Sequence, residues 1–167
     1  MSDPLVTALG LQEDRLVEVI GLLKERGQTV ATAESLTGGL VAAALTTVAG
    51  SSAVVRGGLV VYATDLKTSL ADVPAELIAR FGAVHADVAS ALASGARRVC
   101  GADWGIGLTG VAGPDPQDGV APGRVYLGIA QSDAVTPYVL DLGGDRHAVR
   151  AASVGAAIDA LHVALTG

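Results

Sequence analysis

Apolar residues recur at helical spacing from the start of the chain. Leu5, Leu9, Leu16, Val19, Ile20 and Leu23 alternate with Glu13, Asp14, Glu18, Lys24 and Glu25. This predicts one amphipathic helix over residues 5–26, closed by Gly27. Gln28–Ala33 reads as a short buried strand, 34–39 as a turn, and Leu40–Val48 as an uncharged helix apolar all round, hence buried. Val54–Tyr62 reads as a strand, with Gly57-Gly58 marking a bulge or a close backbone approach. Thr64 or Asp65 is positioned to cap a short helix through Leu70, and Asp72-Val73-Pro74 to start another through Phe81, ended by Gly82. Ala86–Cys100 is a helix with Val88, Leu92, Ala96 and Val99 on one face. Trp104–Thr109 is a strand, and 110–122 is a loop rich in Gly, Pro and Asp. Arg124–Gln131 and Pro137–Leu142 form two paired strands, 143–145 a turn, and Arg146–Leu165 the last helix.

Helices and strands interleave and then give way to two adjacent strands. The expected fold is α/β, a single-domain three-layer αβα sandwich with a mixed sheet. Repeats, low-complexity segments and dividing linkers are absent from the sequence. Ligands of open α/β sheets collect at strand ends, where loops meet helix N-termini. That directs attention to three polar loops that follow strands: 34–39, 62–67 and 109–114.

Composition sharpens this picture. The 167 residues fit one domain with one substantial core. Half are apolar, 22 are Gly and only five are aromatic, so the core depends on close backbone packing. A net charge of −6 with 11 basic residues argues against nucleic acid as a partner. No apolar run approaches the roughly 20 residues that span a bilayer, and the acidic N-terminus is unlike a secretory signal. Cys100, the single cysteine, has no partner for an intrachain disulfide. A cytoplasmic protein without membrane association is expected.

In the first loop, Ser35 lies between a strand and a helix start. Free N–H groups at a helix start, near Thr37, Gly38 and Gly39, suit an oxyanion beside a nucleophilic serine. Simple helix capping by Ser35 or Thr37 explains the same residues. The second loop carries Tyr62 and Lys67. A lysine serves as base toward a serine only when burial lowers its pKa far below about 10.4, with a Tyr hydroxyl orienting or relaying the proton. A solvated Lys and an edge Tyr are the plain alternative. In the third loop, Thr109, Gly110, Ala112 and Gly113 permit close approach of backbone N–H groups and a hydroxyl to a ligand. Asp145 is a natural N-cap for the last helix. Arg146, with Arg150 one turn later, offers a fork for phosphate or carboxylate, or a surface pair with Asp145 or Asp141. His85, His147 and His162 stand apart, with no metal-ligand spacing.

Together the loops resemble one family. Thr32-Ala33-Glu34-Ser35-Leu36-Thr37-Gly38-Gly39 with Gly50-Ser51-Ser52, Tyr62 with Lys67, Gly82-Ala83-Val84, Thr109 to Pro114, Gly123 with Val125-Tyr126, and Gly144-Asp145-Arg146 are similar, in order, to the blocks of the CinA C-terminal family. They cover roughly residues 12–165. The sequence departs from the family's pattern in Leu36, often Cys, in His85, often Ser, in Ala63-Thr64, often Ser-Asn, and in a 115–122 loop without the usual Lys-Pro.

The resemblance implies hydrolysis of the carboxamide of nicotinamide mononucleotide to nicotinate mononucleotide and ammonia, a homodimer, and no metal or other cofactor. It gives Ser35 as nucleophile, Lys67 as base and Tyr62 as an assisting group. Thr37, Gly38, Gly39, Thr109, Gly110, Ala112, Gly113 and Arg146 would contact the substrate. Larger CinA proteins carry an additional N-terminal domain, for which 167 residues leave no room. A nucleotide-binding or regulatory module without chemistry is the alternative, as is an interaction protein in which Ser35 only caps and Lys67 is solvated.

Overall fold

The computed structural model describes residues 2–167. Five strands form one sheet in the order β2-β1-β3-β4-β5, with β1 Val30–Glu34, β2 Val55–Val60, β3 Trp104–Gly110, β4 Arg124–Gln131 and β5 Ala134–Asp141. Strands β2, β1 and β3 run parallel, while β3-β4 and β4-β5 are antiparallel. The helices are α1 Pro4–Ala8, α2 Glu13–Arg26, α3 Leu40–Thr46, α4 Thr64–Ala71, α5 Ala75–Phe81, α6 Ala86–Cys100 and α7 Arg146–Thr166. The expected single-domain α/β sandwich with a mixed sheet is what forms.

The two faces of the sheet differ because of alternation along the strands. In β3, Trp104, Ile106 and Leu108 enter a large core with Leu16, Ile20 and Leu23 of α2, Leu45 of α3 and Val154, Ile158 and Leu161 of α7. The intervening Gly105 and Gly107 face α6, where a Cβ on either would overlap the backbone of Ala93 or Ala89. Helix α6 therefore lies close against the strands. A smaller core there joins Ala31, Ala33, Val88, Leu92 and Ala96. Val99 points outward, 48% exposed, and does not share the buried face expected for it.

Several boundaries differ from the sequence reading. The first helix is two, because Gly10 turns left-handed (φ 62°) after α1 and the chain re-enters a helix only at Glu13. Helix α3 is not buried all round, since Thr46 is exposed and Leu40, Ala42 and Ala43 are half-buried. The bulge in β2 falls at Arg56, where the register with Val30-Ala31 slips. Gly58 supplies the close approach, since a Cβ there would lie 2.7 Å from Thr32 Oγ1 and 2.9 Å from Ala42 Cβ. Neither Thr64 nor Asp65 caps α4; Ala63 holds that place without a side-chain bond. Asp72 ends α4 in a left-handed conformation, so α5 starts only after Pro74. Strand β5 begins at Ala134, and edge position lets it tolerate Pro137. At 21 residues, α7 is long and apolar enough to cross a membrane, which corrects the expectation that no such run exists; it is packed into the larger core instead.

Candidate active site

The carboxyl ends of β2, β1 and β3 lie along one edge of the sheet and open into a cavity of about 630 Å³, counting its mouth. Ser35 and Leu36 come from the turn after β1, Tyr62 and Lys67 from the end of β2 and from α4, Thr109 to Gly113 from the loop after β3, and Arg146 from the start of α7.

Lys67 is 2% exposed, among the most buried large side chains in the protein. Its Nζ lies 3.1 Å from Ser35 Oγ, 2.8 Å from Val61 O and 3.4 Å from Tyr62 O. Among the described residues it has no carboxylate partner within ion-pair distance. Burial without a counter-charge disfavours the ammonium and lowers it from 10.5 to about 8. A neutral amine has two N–H donors and one lone pair. With the donors given to the Val61 and Tyr62 carbonyls, the lone pair is left for the Ser35 hydroxyl proton.

The turn that carries Ser35 is fixed from beneath by Glu34, a fully buried carboxylate. Oε1 accepts from Thr37 Oγ1 (2.7 Å) and from Val41 N–H (2.9 Å). Oε2 accepts from Thr32 Oγ1 (3.0 Å) and from Ala42 N–H (3.0 Å). The first free donors of α3, expected to face a ligand, are thus occupied by the chain's own anion. Sequence reasoning gave Glu34 no role. Its signal was an acid at the end of an otherwise apolar strand, just before a helix start.

This arrangement moves three expected substrate contacts out of the cavity wall. The Thr37 hydroxyl is committed to Glu34, and Gly38 N–H donates to Ser35 O at 3.0 Å. Thr37, Gly38 and Gly39 do not line the cavity; Leu36 does. Among the described residues, the N–H groups of Leu36, Thr37, Ala112 and Gly113 have no protein acceptor. Leu36 follows the serine directly, the position from which an oxyanion donor comes in α/β-hydrolases.

The Tyr62 hydroxyl is not at the Ser35–Lys67 pair. Its side chain is 61% exposed and its oxygen accepts from Arg146 Nη2 at 3.1 Å, so only the Tyr62 carbonyl touches Lys67. Arg146 also donates to Gly113 O at 2.8 Å and thereby bridges two walls of the mouth. Asp145 caps α7 by accepting from Ala148 N–H, while Asp141 pairs with Arg124 and not with Arg146. Thr109, 1% exposed, donates to Ala83 O at 2.7 Å and joins the third loop to the 82–84 turn. Gly110, Ala112 and Gly113 line the cavity as expected from the loop. The histidines lie elsewhere: His85 caps α6 and stacks on Phe81, His147 meets Ala8 O, and His162 meets Glu18. Among the described residues no three His, Cys, Asp or Glu side chains converge in a way that could hold a metal ion.

The profile of the CinA C-terminal domain matches residues 13–165. A CinA-like protein of Frankia casuarinae is 44% identical over 149 residues, 89% of this chain and 34% of the relative. A CinA-like protein of a Synechococcus strain is 44% identical over 93% of this chain and 38% of the relative. The chain therefore spans about a third of the length of the curated relatives it matches. Among solved structures, a CinA superfamily protein from Klebsiella pneumoniae superposes with a TM-score of 0.88 at 32% identity, covering 92% of this chain and 96% of that one. The competence/damage inducible protein CihA of Agrobacterium tumefaciens superposes with a TM-score of 0.86 at 35% identity, covering 94% and 98%.

Proposed function

The chain belongs to the CinA C-terminal domain family, and on that premise we propose that it is an amidohydrolase that converts nicotinamide mononucleotide to nicotinate mononucleotide and ammonia through Ser35 and Lys67. The observation that carries this reading is the buried Lys67 amine, 3.1 Å from Ser35 Oγ and without a counter-charge. A solvated surface lysine does not have that environment, and a mere helix cap does not need a buried amine.

In the first step Ser35 Oγ bonds to the carboxamide carbon while its proton passes to the lone pair of neutral Lys67. Negative charge collects on the former carbonyl oxygen, with the unpartnered N–H groups beside the serine as its donors. Collapse breaks the C–N bond, and the proton on Lys67 goes to the departing nitrogen, which leaves as ammonia. Water then attacks the ester while Lys67 takes one of its protons, and that proton passes to Ser35 Oγ as the ester C–O bond breaks and nicotinate mononucleotide departs. At the mouth, Arg146 uses two of its five N–H donors on Tyr62 and Gly113, leaving the rest for a phosphate. Pairing of two copies and a place in the cytoplasm belong to the same reading.

The test is ammonia release from nicotinamide mononucleotide by purified protein, with Ser35→Ala and Lys67→Ala beside it after circular dichroism establishes that each is folded. Release by the wild type and by neither variant supports the assignment. A wild type that binds the nucleotide in a thermal-shift assay yet releases nothing at high enzyme concentration replaces the enzyme with a binding module.

A further inference from the structure

Two arginines sit one turn apart on α7, and they do different things. Arg146 lines the cavity, whereas Arg150 does not. Arg150 Nε donates to Leu36 O at 2.9 Å and Nη2 donates to Thr37 O at 3.3 Å. Among the described residues it forms no ion pair, and these two carbonyls are its polar partners. A half-buried guanidinium is thus given over entirely to the main chain just after Ser35.

In a trans peptide the C=O and N–H point in opposite directions. Drawing Leu36 O toward Arg150 turns Thr37 N–H away from the arginine. Drawing Ser35 O toward Gly38 N–H (3.0 Å) turns Leu36 N–H out of the turn. Thr37 O is held twice, by Arg150 and by Leu40 N–H at 3.1 Å. Both N–H groups so oriented lack a protein acceptor. A flip of the Leu36–Thr37 peptide would point an N–H at the guanidinium and release Leu36, which lines the cavity, from its fixed place. An oxyanion would then lose a fixed Leu36 N–H.

We propose that Arg150 is a positioning residue that anchors the turn at the carbonyls of Leu36 and Thr37, so that Leu36, which lines the cavity, keeps its N–H available to the oxyanion formed at Ser35. The inference rests on the reading of Ser35 as nucleophile, and it adds a residue that touches neither substrate nor reacting atoms. Lysine is not an equivalent, because Arg150 meets the two carbonyls with two separate nitrogens of one rigid planar group, and a lysine has a single nitrogen on a flexible stem.

The experiment uses Arg150→Lys and Arg150→Ala, with two readouts per folded site: ammonia release from nicotinamide mononucleotide, and the rate at which a fluorophosphonate labels Ser35. Each variant should lose about 10- to 100-fold in kcat with KM within about 2-fold, because the donor acts on the transition state. The acid limb set by Lys67 should stay where it is in the wild type. Labelling should slow in parallel, and ethylguanidinium should restore part of the Arg150→Ala turnover. Turnover and labelling per folded site within 2-fold of wild type would overturn the proposal, as would a loss expressed equally in KM. If Arg150→Ala does not fold, Arg150→Lys decides by the same criteria. If the wild type is labelled but releases no ammonia, the substrate reading fails alone, and a tenfold or larger slowing of labelling still supports the positioning role. A wild type that is neither labelled nor active overturns both.

Discussion

In the proposed mechanism the ammonium of Lys67 must lose its proton before the amine can act as base, and this sets the pH dependence expected of turnover. Burial places the group at about 8, against 10.5 when free. At pH 7 the neutral fraction is therefore roughly a tenth, about 300-fold more than a solvated lysine would supply. The expected profile of kcat/KM climbs tenfold per pH unit up to about pH 8 and then levels, with about a hundredth of the plateau left at pH 6. The assay is initial-rate ammonia release at substrate concentrations far below KM, from pH 6 to 9.5. The substrate's own phosphate titrates near pH 6, about two units away, so the two limbs separate. Lys67→Arg should remain inactive throughout, since a guanidinium stays protonated over the whole range. A midpoint below 7, in the range of a histidine, or a profile flat from 6 to 9 would refute Lys67 as the base.

The same burial has a sign in stability. Between pH 8 and 10.5 the unfolded chain carries a proton at Lys67 that the folded chain lacks, so stability rises with pH across that window, by about 3 kcal/mol relative to Lys67→Met. Urea midpoints at pH 7.5 and 10 compare the two proteins, and parallel values would show an exposed amine. Glu34→Gln keeps one carbonyl oxygen for four donors, so it should cost about 2–3 kcal/mol in the same measurement, with the lost order falling on the Ser35 turn. Tyr62→Phe removes a hydroxyl that touches Arg146 alone; KM should rise about 2- to 10-fold with kcat unchanged, and a kcat loss above tenfold would return Tyr62 to the proton path. Gly107→Ala drives a methyl into the backbone of α6 and should cost about 3 kcal/mol or leave the protein insoluble, which thermal melts read directly.

What was legible in the sequence follows from which interactions are local. Periodicity locates α6 to the residue, because Val88, Leu92 and Ala96 repeat at helical spacing and Gly101 closes the helix. It misses the break at Gly10, because Leu9 and Leu16 fit one continuous helical stripe whether or not the chain pauses between them. The alternation Trp-Gly-Ile-Gly-Leu in β3 predicts a strand, but its use in seating α6 against the sheet depends on a neighbour that no local pattern names. Ser35, Lys67 and Arg146 were each visible as residues able to act; that Ser35 and Lys67 meet at 3.1 Å depends on β1 and β2 being parallel neighbours.

Glu34 marks where sequence reasoning fails for a physical cause. A strand running into a glycine turn and a helix advertises free N–H groups, and free N–H groups attract whatever anion is nearest. Here the nearest is the carboxylate next to the serine, with Val41 and Ala42 already bound to it. The helix start then serves to hold the turn, and the donors left over in it are those of Leu36, Thr37 and Gly39, of which Leu36 lines the cavity. The anion-binding capacity of a helix N-terminus is therefore a property of the whole turn, including any acid within its reach. The same logic gives Arg150 its place: once Glu34 occupies the helix donors, the remaining N–H groups belong to turn peptides, and while Ser35 O and Thr37 O are met from within the turn, Leu36 O is held from outside it by the guanidinium.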